Sequence, residues 1–401
     1  METDRPARAE HRRRAVTGPA VPDGGGPGRT GADRTGAGIR ISVVICVHTE
    51  DRWDEMLAAV ASVRGQSRPA HEVLLVVDHH APLLDRLRRH FGTAGAPASP
   101  GPPTPLRIMA NSGPRGLSAG RNTGIAAARG EVIAFLDDDA VAERDWLRYF
   151  AEGYADPAVL AVGGRTEPVW ASGRRPAWFP AEFDWVVGCT YRGLPPGRVR
   201  VRNVLGGNAS FRRPVFETVG GFANGIGRAA GRRPLGGEET ELCIRLARAL
   251  PDAVLLIDDR SVIHHRVPAA RQRFGYFAGR AYAEGLSKAL VARRVGTRAG
   301  LAAERRQLTR VLPAGVLRGV RDALLGRAGG AGRAGAIVAG TAAAAGGYLV
   351  GTVRVRLGGA PTASDGPGGL GDPGGAPESA TAATATPATG VAASGCAGAT
   401  V

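Results

Sequence analysis

The sequence predicts an α/β fold built on a doubly wound, mostly parallel sheet, and three observations carry that expectation. Short β-branched runs recur at Ile41–Val47, Glu72–Val77, Leu106–Ala110 and Glu131–Leu136. Segments with apolar residues at helical spacing separate them, and alternating strands and helices imply parallel pairing. Two of the runs end on acidic residues, Asp78 and Asp137-Asp138-Asp139, at the carboxyl ends where such sheets bind ligands.

Taken in order, residues 1–39 are rich in Gly, Pro and Arg without periodicity and are expected to be a disordered tail. Ile41–Val47 is the first strand. Trp53, Met56, Leu57, Val60 and Val63 then share one face of a helix over Trp53–Arg64. Glu72–Val77 is the second strand. Ala81–His90 reads as a helix with Pro82 in its first turn, where the missing N–H costs nothing. Residues 92–105 read as a flexible loop, Leu106–Ala110 as the third strand, and Ser118–Ala128 as a helix closed by Gly130. Glu131–Leu136 is the fourth strand.

Beyond Asp145 the pattern loosens. A helix ends across Tyr149–Asp156, a strand follows over Ala158–Arg165, and Arg174–Arg200 is loop-rich. Val201–Phe211 holds a Gly206-Gly207 pair. Glu238–Leu250 is helical, Val254–Ile257 and Ser261–His265 are strand-like, and Arg271–Arg294 returns to helical spacing. Residues 334–351 carry no charge but are mostly Ala and Gly, short of the roughly 20 strongly apolar residues of a membrane span. A surface-lying or re-entrant segment and an ordinary soluble helix both fit them. Residues 359–401 read as a second tail. The expected organisation is therefore a tail over 1–39, a catalytic domain over 40–268, a basic helical and membrane-associated extension over 269–358, and a tail over 359–401.

Composition narrows the function. Of 401 residues, 43% are hydrophobic, enough for a sizeable core. The four cysteines lie far apart with no CxxC pair, which excludes a zinc knuckle or dithiol site and suits a reducing cytoplasm. The N-terminus carries arginines but no apolar run, so it does not read as a secretory signal. The only lysine, Lys288, lacks a glycine frame, and no GxGxxG follows the first strand, so P-loop and dinucleotide readings fall away. Residues 41–259 are nearly neutral, whereas 260–356 hold 18 basic and 3 acidic residues. Such a segment attracts phosphates, and an anionic membrane surface at the inner face of the plasma membrane is the expected partner. With few aromatics and no nucleic-acid motif, no nucleic acid is expected.

Four constellations carry chemistry. Three adjacent carboxylates, Asp137, Asp138 and Asp139, repel one another at the end of a buried strand unless a cation or donors sit there. Mg2+ or Mn2+ bridging to a diphosphate fits; a solvated acidic turn is the alternative. Glu238, Glu239 and Glu241 open a helix, where the macrodipole favours them and where a general base could face an acceptor hydroxyl. His264-His265 offers metal ligands or a structural pair. Gly116-Leu-Ser118-Ala-Gly120 matches a nucleophile elbow, with Asp258 and His264 in triad order, but Asn111–Arg115 separates it from its strand.

Ile41–Thr49, Val73–Asp78, Gly116–Gly124, Phe135–Ala140, Gly206–Arg212 and Gly237–Arg245, in this order over roughly residues 41–290, resemble a family 2 glycosyltransferase of GT-A fold. The stretch Phe274–Lys288 looks like the basic helical region of actinobacterial members. The resemblance implies an inverting, metal-dependent transfer from a nucleotide-diphosphate sugar to a glycan, lipid-linked or small-molecule acceptor. It implies that Thr49, Glu50 and Asp78 contact the nucleotide base, and that Arg121 and Asn122 lie near ribose and phosphates. Asp137 and Asp139 match the outer members of the family's DxD, with Asp138 between them, and Gly207 and Asn208 would border the sugar. Glu239 matches the catalytic base, with Glu238 beside it, and His265 or His264 would complete the metal shell. His79-His80 after Asp78, Gly120 and Glu239 itself depart from the usual residues. A GT-A-like nucleotidyltransferase, a serine hydrolase and a basic phosphate-binding protein are the rival readings.

Overall fold

The computed structural model describes residues 38–93, 104–224, 237–295 and 306–357. Most of the expected tails and of the loop at 92–105 lies outside these residues; Ile39, expected in the first tail, instead packs against the core.

Nine strands form one sheet among the described residues, in the order β3-β2-β1-β4-β8-β6-β9-β5, with β7 pairing β9. They are β1 (Ile41–Val47), β2 (Glu72–Val77), β3 (Leu106–Ala110), β4 (Val132–Asp137), β5 (Ala140–Ala142), β6 (Val159–Trp170), β7 (Arg198–Arg200), β8 (Asn208–Arg212) and β9 (Val254–Val267). β1 pairs in parallel with β2 and β4, and β2 with β3, as the doubly wound pattern requires. β8 enters antiparallel beside β4, so the sheet is mixed past that point. The stretch expected to be loop-rich contains β7 and a short helical turn, Ala181–Val187. The two strand-like pieces after Pro251 are one continuous strand, β9, which runs parallel to β6 with irregularities in register.

Side-chain alternation assigns the two faces of the sheet. Ile41, Val43, Ile45 and Val47 of β1 face α1 (Trp53–Arg64), α2 (Ala81–Thr93) and α4 (Trp146–Gly153), packing with Met56, Val60, Leu83, Trp146 and Phe150. Val44, Ile133 and Phe135 face α3 (Leu117–Ala127), α5 (Arg213–Val219) and α6 (Glu238–Ala249), packing with Ile125, Phe216, Leu242 and Leu246. Both faces are covered, so the central strands read as unbroken apolar runs instead of alternating ones. Gly124, inside α3, explains how closely that helix lies on β1: a Cβ there would collide with both methyls of Val44.

Among the described residues, three long helices follow the sheet: α7 (Phe274–Val295), α8 (Leu312–Leu324) and α9 (Gly330–Arg356). Phe277, Leu312, Ala336 and Ile337 close a third apolar cluster over Trp170, Phe179 and Phe183. The uncharged run 334–351 is the middle of α9, an uninterrupted helix of 27 residues. One face of α9 packs through glycines. Gly340 sits against Phe183 and Phe277, Gly347 against the Tyr282 carbonyl, and Gly285 of α7 against the Ala344 carbonyl. These contacts leave no room for a Cβ, so the two backbones approach closely.

This contact can be checked by thermal unfolding. Gly285→Ala would push α9 off α7, at about 1–3 kcal/mol of overpacking, and is expected to lower Tm. Gly346→Ala on α9, where a Cβ meets nothing within 4 Å, should hold or raise Tm, because alanine is the better helix former by up to about 1 kcal/mol.

Candidate active site

β4 ends on Asp137 at one edge of the sheet, and the turn from β4 to β5 carries Asp138 and Asp139. Asp137 continues the face of Ile133 and Phe135, toward α3 and α6, while Asp138 in the turn meets the loop that leads into α1. The loop between β1 and α1 places Arg52 there, and its Nη1 donates to Asp138 Oδ1 at 3.0 Å and to Asp139 Oδ2 at 3.1 Å. Burial, then the neighbouring Asp139 charge, pushes the Asp138 carboxyl up to about 7 despite Arg52. Burial also works to raise Asp139, but His265 and Arg52 outweigh it and hold that carboxyl far below the usual range.

β5 turns straight back from the acidic cluster and pairs with β9, setting Ala140 opposite His265. His265 is buried, with Nδ1 3.0 Å from Asp139 Oδ1. One ligating atom from each of Asp137, Asp139 and His265 lies within 4.8 Å of the others. Two carboxylates and an imidazole form a fitting donor set for a divalent cation such as Mn2+. His264 is not part of it. The period of two along β9 turns it to the opposite face, where Nε2 lies 3.0 Å from the exposed Glu143 carboxylate. Its assignment to the metal shell is therefore corrected.

The other wall comes from α3 and α6. Arg121 is buried, its Nη1 3.1 Å from Glu238 Oε1 and its Nη2 3.5 Å from Asp137 Oδ1 and 3.2 Å from the Gly206 carbonyl. Its guanidinium also lies within 5.3 Å of the Phe222 ring centroid. Burial alone would weaken its charge; Glu238 and Asp137 hold its pKa above the ordinary value. Glu238 is thereby engaged with Arg121. Glu239 is half-buried and directed at the Gly206 turn, and burial followed by the Glu238 charge pushes it up to about 8. Glu241 forms the expected i, i+4 pair with Arg245 at 2.8 Å. Gly206 and Gly207 make this junction compact: a Cβ on Gly206 would crowd Glu239 and Arg121, and one on Gly207 would collide with Asp137.

The expected nucleotide end lies at the carboxyl edges of β1 and β2. Asp78 accepts from Asn111 Nδ2 at 2.7 Å and from the Gly116 amide at 2.9 Å, so it organises the loop leading into α3. His79 takes a left-handed conformation (φ 49°) and its Nε2 lies 2.8 Å from the Gly113 carbonyl. His80 Nδ1 accepts from the Leu83 amide at 3.1 Å in the first turn of α2. Val77, His79, His80, Leu84, Ala110 and Asn111 line a cavity of about 310 Å3 here. Thr49 bonds Asp51 at 2.9 Å and Glu50 pairs with Arg86 at 2.9 Å, both near the surface of the same edge.

Two further expectations are corrected. Asn122 does not face a ligand: its Oδ1 accepts from the Phe222 amide at 2.8 Å and its Nδ2 donates to the Phe222 carbonyl at 2.9 Å. Asn208 is fully buried on the α4 side of β8, opposite to Glu239. It accepts from Trp146 Nε1 at 2.7 Å and donates to the Arg165 and Ser261 carbonyls at 2.9 and 3.2 Å. The serine-hydrolase arrangement is not assembled either. Asp258 pairs with Arg198 and Arg260, and His264 with Glu143. Arg52 is the residue that sequence reasoning missed; its one signal is its place just after the first strand, beside Asp51.

Residues 42–220 match the family described as "Glycosyl transferase family 2". The chain is 33% identical over 251 residues to a glucosyl-dolichyl phosphate glucuronosyltransferase of Haloferax volcanii, covering 62% of this chain and 76% of that one. A pre-mycofactocin glycosyltransferase of Mycobacterium tuberculosis is 35% identical over 60 residues, or 15% of this chain and 13% of that one. Among solved structures, a mannosyltransferase from Pyrobaculum calidifontis in complex with GDP-Man and Mn2+ is 19% identical with a TM-score of 0.49, covering 78% of this chain and 88% of that one.

Asn122→Ala separates scaffold from ligand contact. Loss of two part-buried hydrogen bonds is expected to cost about 1–3 kcal/mol of stability, read as a lower Tm, while the Kd for nucleoside diphosphate stays within about twofold.

Proposed function

Because the chain belongs to glycosyltransferase family 2, we propose that it moves a sugar from a nucleoside-diphosphate donor to an acceptor hydroxyl with inversion at the anomeric carbon, using Glu239 as the base. The observation that carries this reading is the clustering of Asp137, Asp139 and His265, with Asp137 and Glu239 meeting at the Gly206–Gly207 turn. Asp137, Asp139 and His265 would hold Mn2+ or Mg2+, and the imidazole favours Mn2+. When bound, the ion supplies Lewis-acid stabilisation of the charge on the leaving diphosphate.

The remaining work falls to the chain's own side chains. The cavity beside Asp78 and Asn111 takes the nucleotide base, and the Gly206–Gly207 turn leaves the sugar room beside Asp137. Glu239 accepts the acceptor proton as the new bond forms. Glu238 does not compete for that role, because Arg121 holds it in an ion pair. Arg121 in turn fixes the distance between Asp137 and the helix that carries the base, so two reactants meet in one orientation. A lipid-linked or growing-glycan acceptor at the inner face of the plasma membrane is the acceptor class we favour. The dolichyl phosphate in the name of the Haloferax relative supports the lipid-linked form.

Glu239→Gln is expected to lower transfer by about 10²–10⁴-fold while donor binding stays within about twofold; full transfer in this variant contradicts the assignment. The pH profile follows from the raised pKa. A base must be deprotonated to act, so log kcat/KM should climb with unit slope below the Glu239 pKa of about 8 and level off above it. A profile flat from pH 5 to pH 9 contradicts the role.

A further inference from the structure

The outward face of α9 is apolar along most of its length. Val338, Ala342, Ala345, Leu349 and Val353 recur at helical spacing and are all exposed, Val338 by 58%, Leu349 by 65% and Val353 by 54%. Charge returns only at the end, with Arg354 and Arg356. Its opposite face is the glycine-rich one packed on α7, so the usual arrangement of a surface helix is inverted: small residues inward, larger apolar residues outward. α9 is also long and apolar enough to cross a membrane by length and composition, with a mean hydropathy of 1.5, and 28% of that window is buried.

The neighbouring helix repeats the pattern. α8 turns Leu312, Gly315 and Gly319 inward and exposes Leu317 by 70%, Val320 by 45% and Leu324 by 84%, with Leu325 following at 58%. Gly319 packs against Gly330 and Ala334, and Arg333 donates to Asp322 at 2.9 Å, so the two helices adjoin. Exposed arginines stand around these rows: Arg306, Arg310, Arg321, Arg327 and Arg356. Asp322, one of only three acidic residues in 260–356, is paired with Arg327 and Arg333.

We propose that the exposed apolar rows of α8 and α9 are a docking face for an anionic lipid surface, with the leucines and valines in the acyl boundary and the arginines at the headgroups. The apolar rows explain insertion and the basic border selects anionic lipid; a helix with these two properties lies in the interface plane. α9 would bind by one face and keep the other on α7, so the contact does not require the helix to leave the protein. The proposal is independent of the reaction: it rests on residues that touch neither Asp139 nor Glu239.

The test is flotation of the full-length protein with vesicles of phosphatidylcholine alone or with about a third phosphatidylglycerol, compared with Leu317→Glu, Leu324→Glu and Leu349→Glu. The wild type should float with the anionic vesicles and not the neutral ones. Binding should weaken as salt rises, and Arg321→Gln should weaken it about fivefold, the effect of one basic residue near an anionic surface. Each Glu variant should lose at least about tenfold of the binding, because each loses an apolar side chain that would enter the lipid and gains a repelled charge. Their Tm and nucleotide binding should match the wild type, since these positions are exposed. Three results overturn the proposal: no flotation of the wild type at low salt, flotation unchanged in all three Glu variants, or a wild-type dimer that the Glu variants dissociate with no vesicle binding, which would make a second copy the occupant.

Discussion

Arg121 carries its charge where water scarcely reaches, between a carboxylate at the end of β4 and another at the start of α6. The rest of the site depends on that arrangement. Removing one member of a buried pair leaves an uncompensated charge, at about 3–5 kcal/mol, so Asp137 and Glu238 are held apart at a set distance. Between them lies the Gly206–Gly207 turn, whose carbonyl also receives Arg121. Any side chain there would displace either Asp137 or Glu239.

The charge arithmetic at the edge of the sheet follows the same logic. Three adjacent aspartates do not share one environment, because Asp137 ends the strand while Asp138 and Asp139 lie in the turn that follows. Asp137 meets Arg121, Asp138 meets Arg52, and Asp139 meets both Arg52 and His265. The result is one carboxyl, Asp138, raised toward neutrality and one, Asp139, held strongly ionised. β5 is short, yet its pairing with β9 brings His265 across more than a hundred residues of chain to this point.

Much of this was legible in the sequence, and the parts that were not have physical reasons. Ile41–Val47 and Glu72–Val77 were readable to the residue because strands buried on both faces must be unbroken apolar runs. β9 was not, because Asp258, Asp259 and Arg260 interrupt its apolar run. In the folded chain Asp258 pairs with Arg198 and Arg260, which lets a charged stretch stay in a strand. Motif positions were readable, but not the direction of each side chain. Asn122 and Asn208 look like ligand contacts in sequence and are hydrogen-bonded into the scaffold, and His264 differs from His265 only by strand alternation. Arg52 belongs to a loop with no periodicity to mark it. The α9 run was visible as uncharged, but only its packing shows which face is small and inward and which is apolar and outward.

In the proposed reaction, Asp137, Asp139 and His265 form one cation site that the buried charges around Arg121 keep in shape. The most direct measurement is an electron paramagnetic resonance titration of Mn2+ into the wild type, Asp139→Asn and His265→Ala, each with and without a nucleoside diphosphate. The expected result is one Mn2+ per wild-type chain, tightened by the nucleotide, and at least about tenfold weaker binding in both variants, the effect of losing one ligand or its partner. Equal Mn2+ affinity in all three proteins would contradict it.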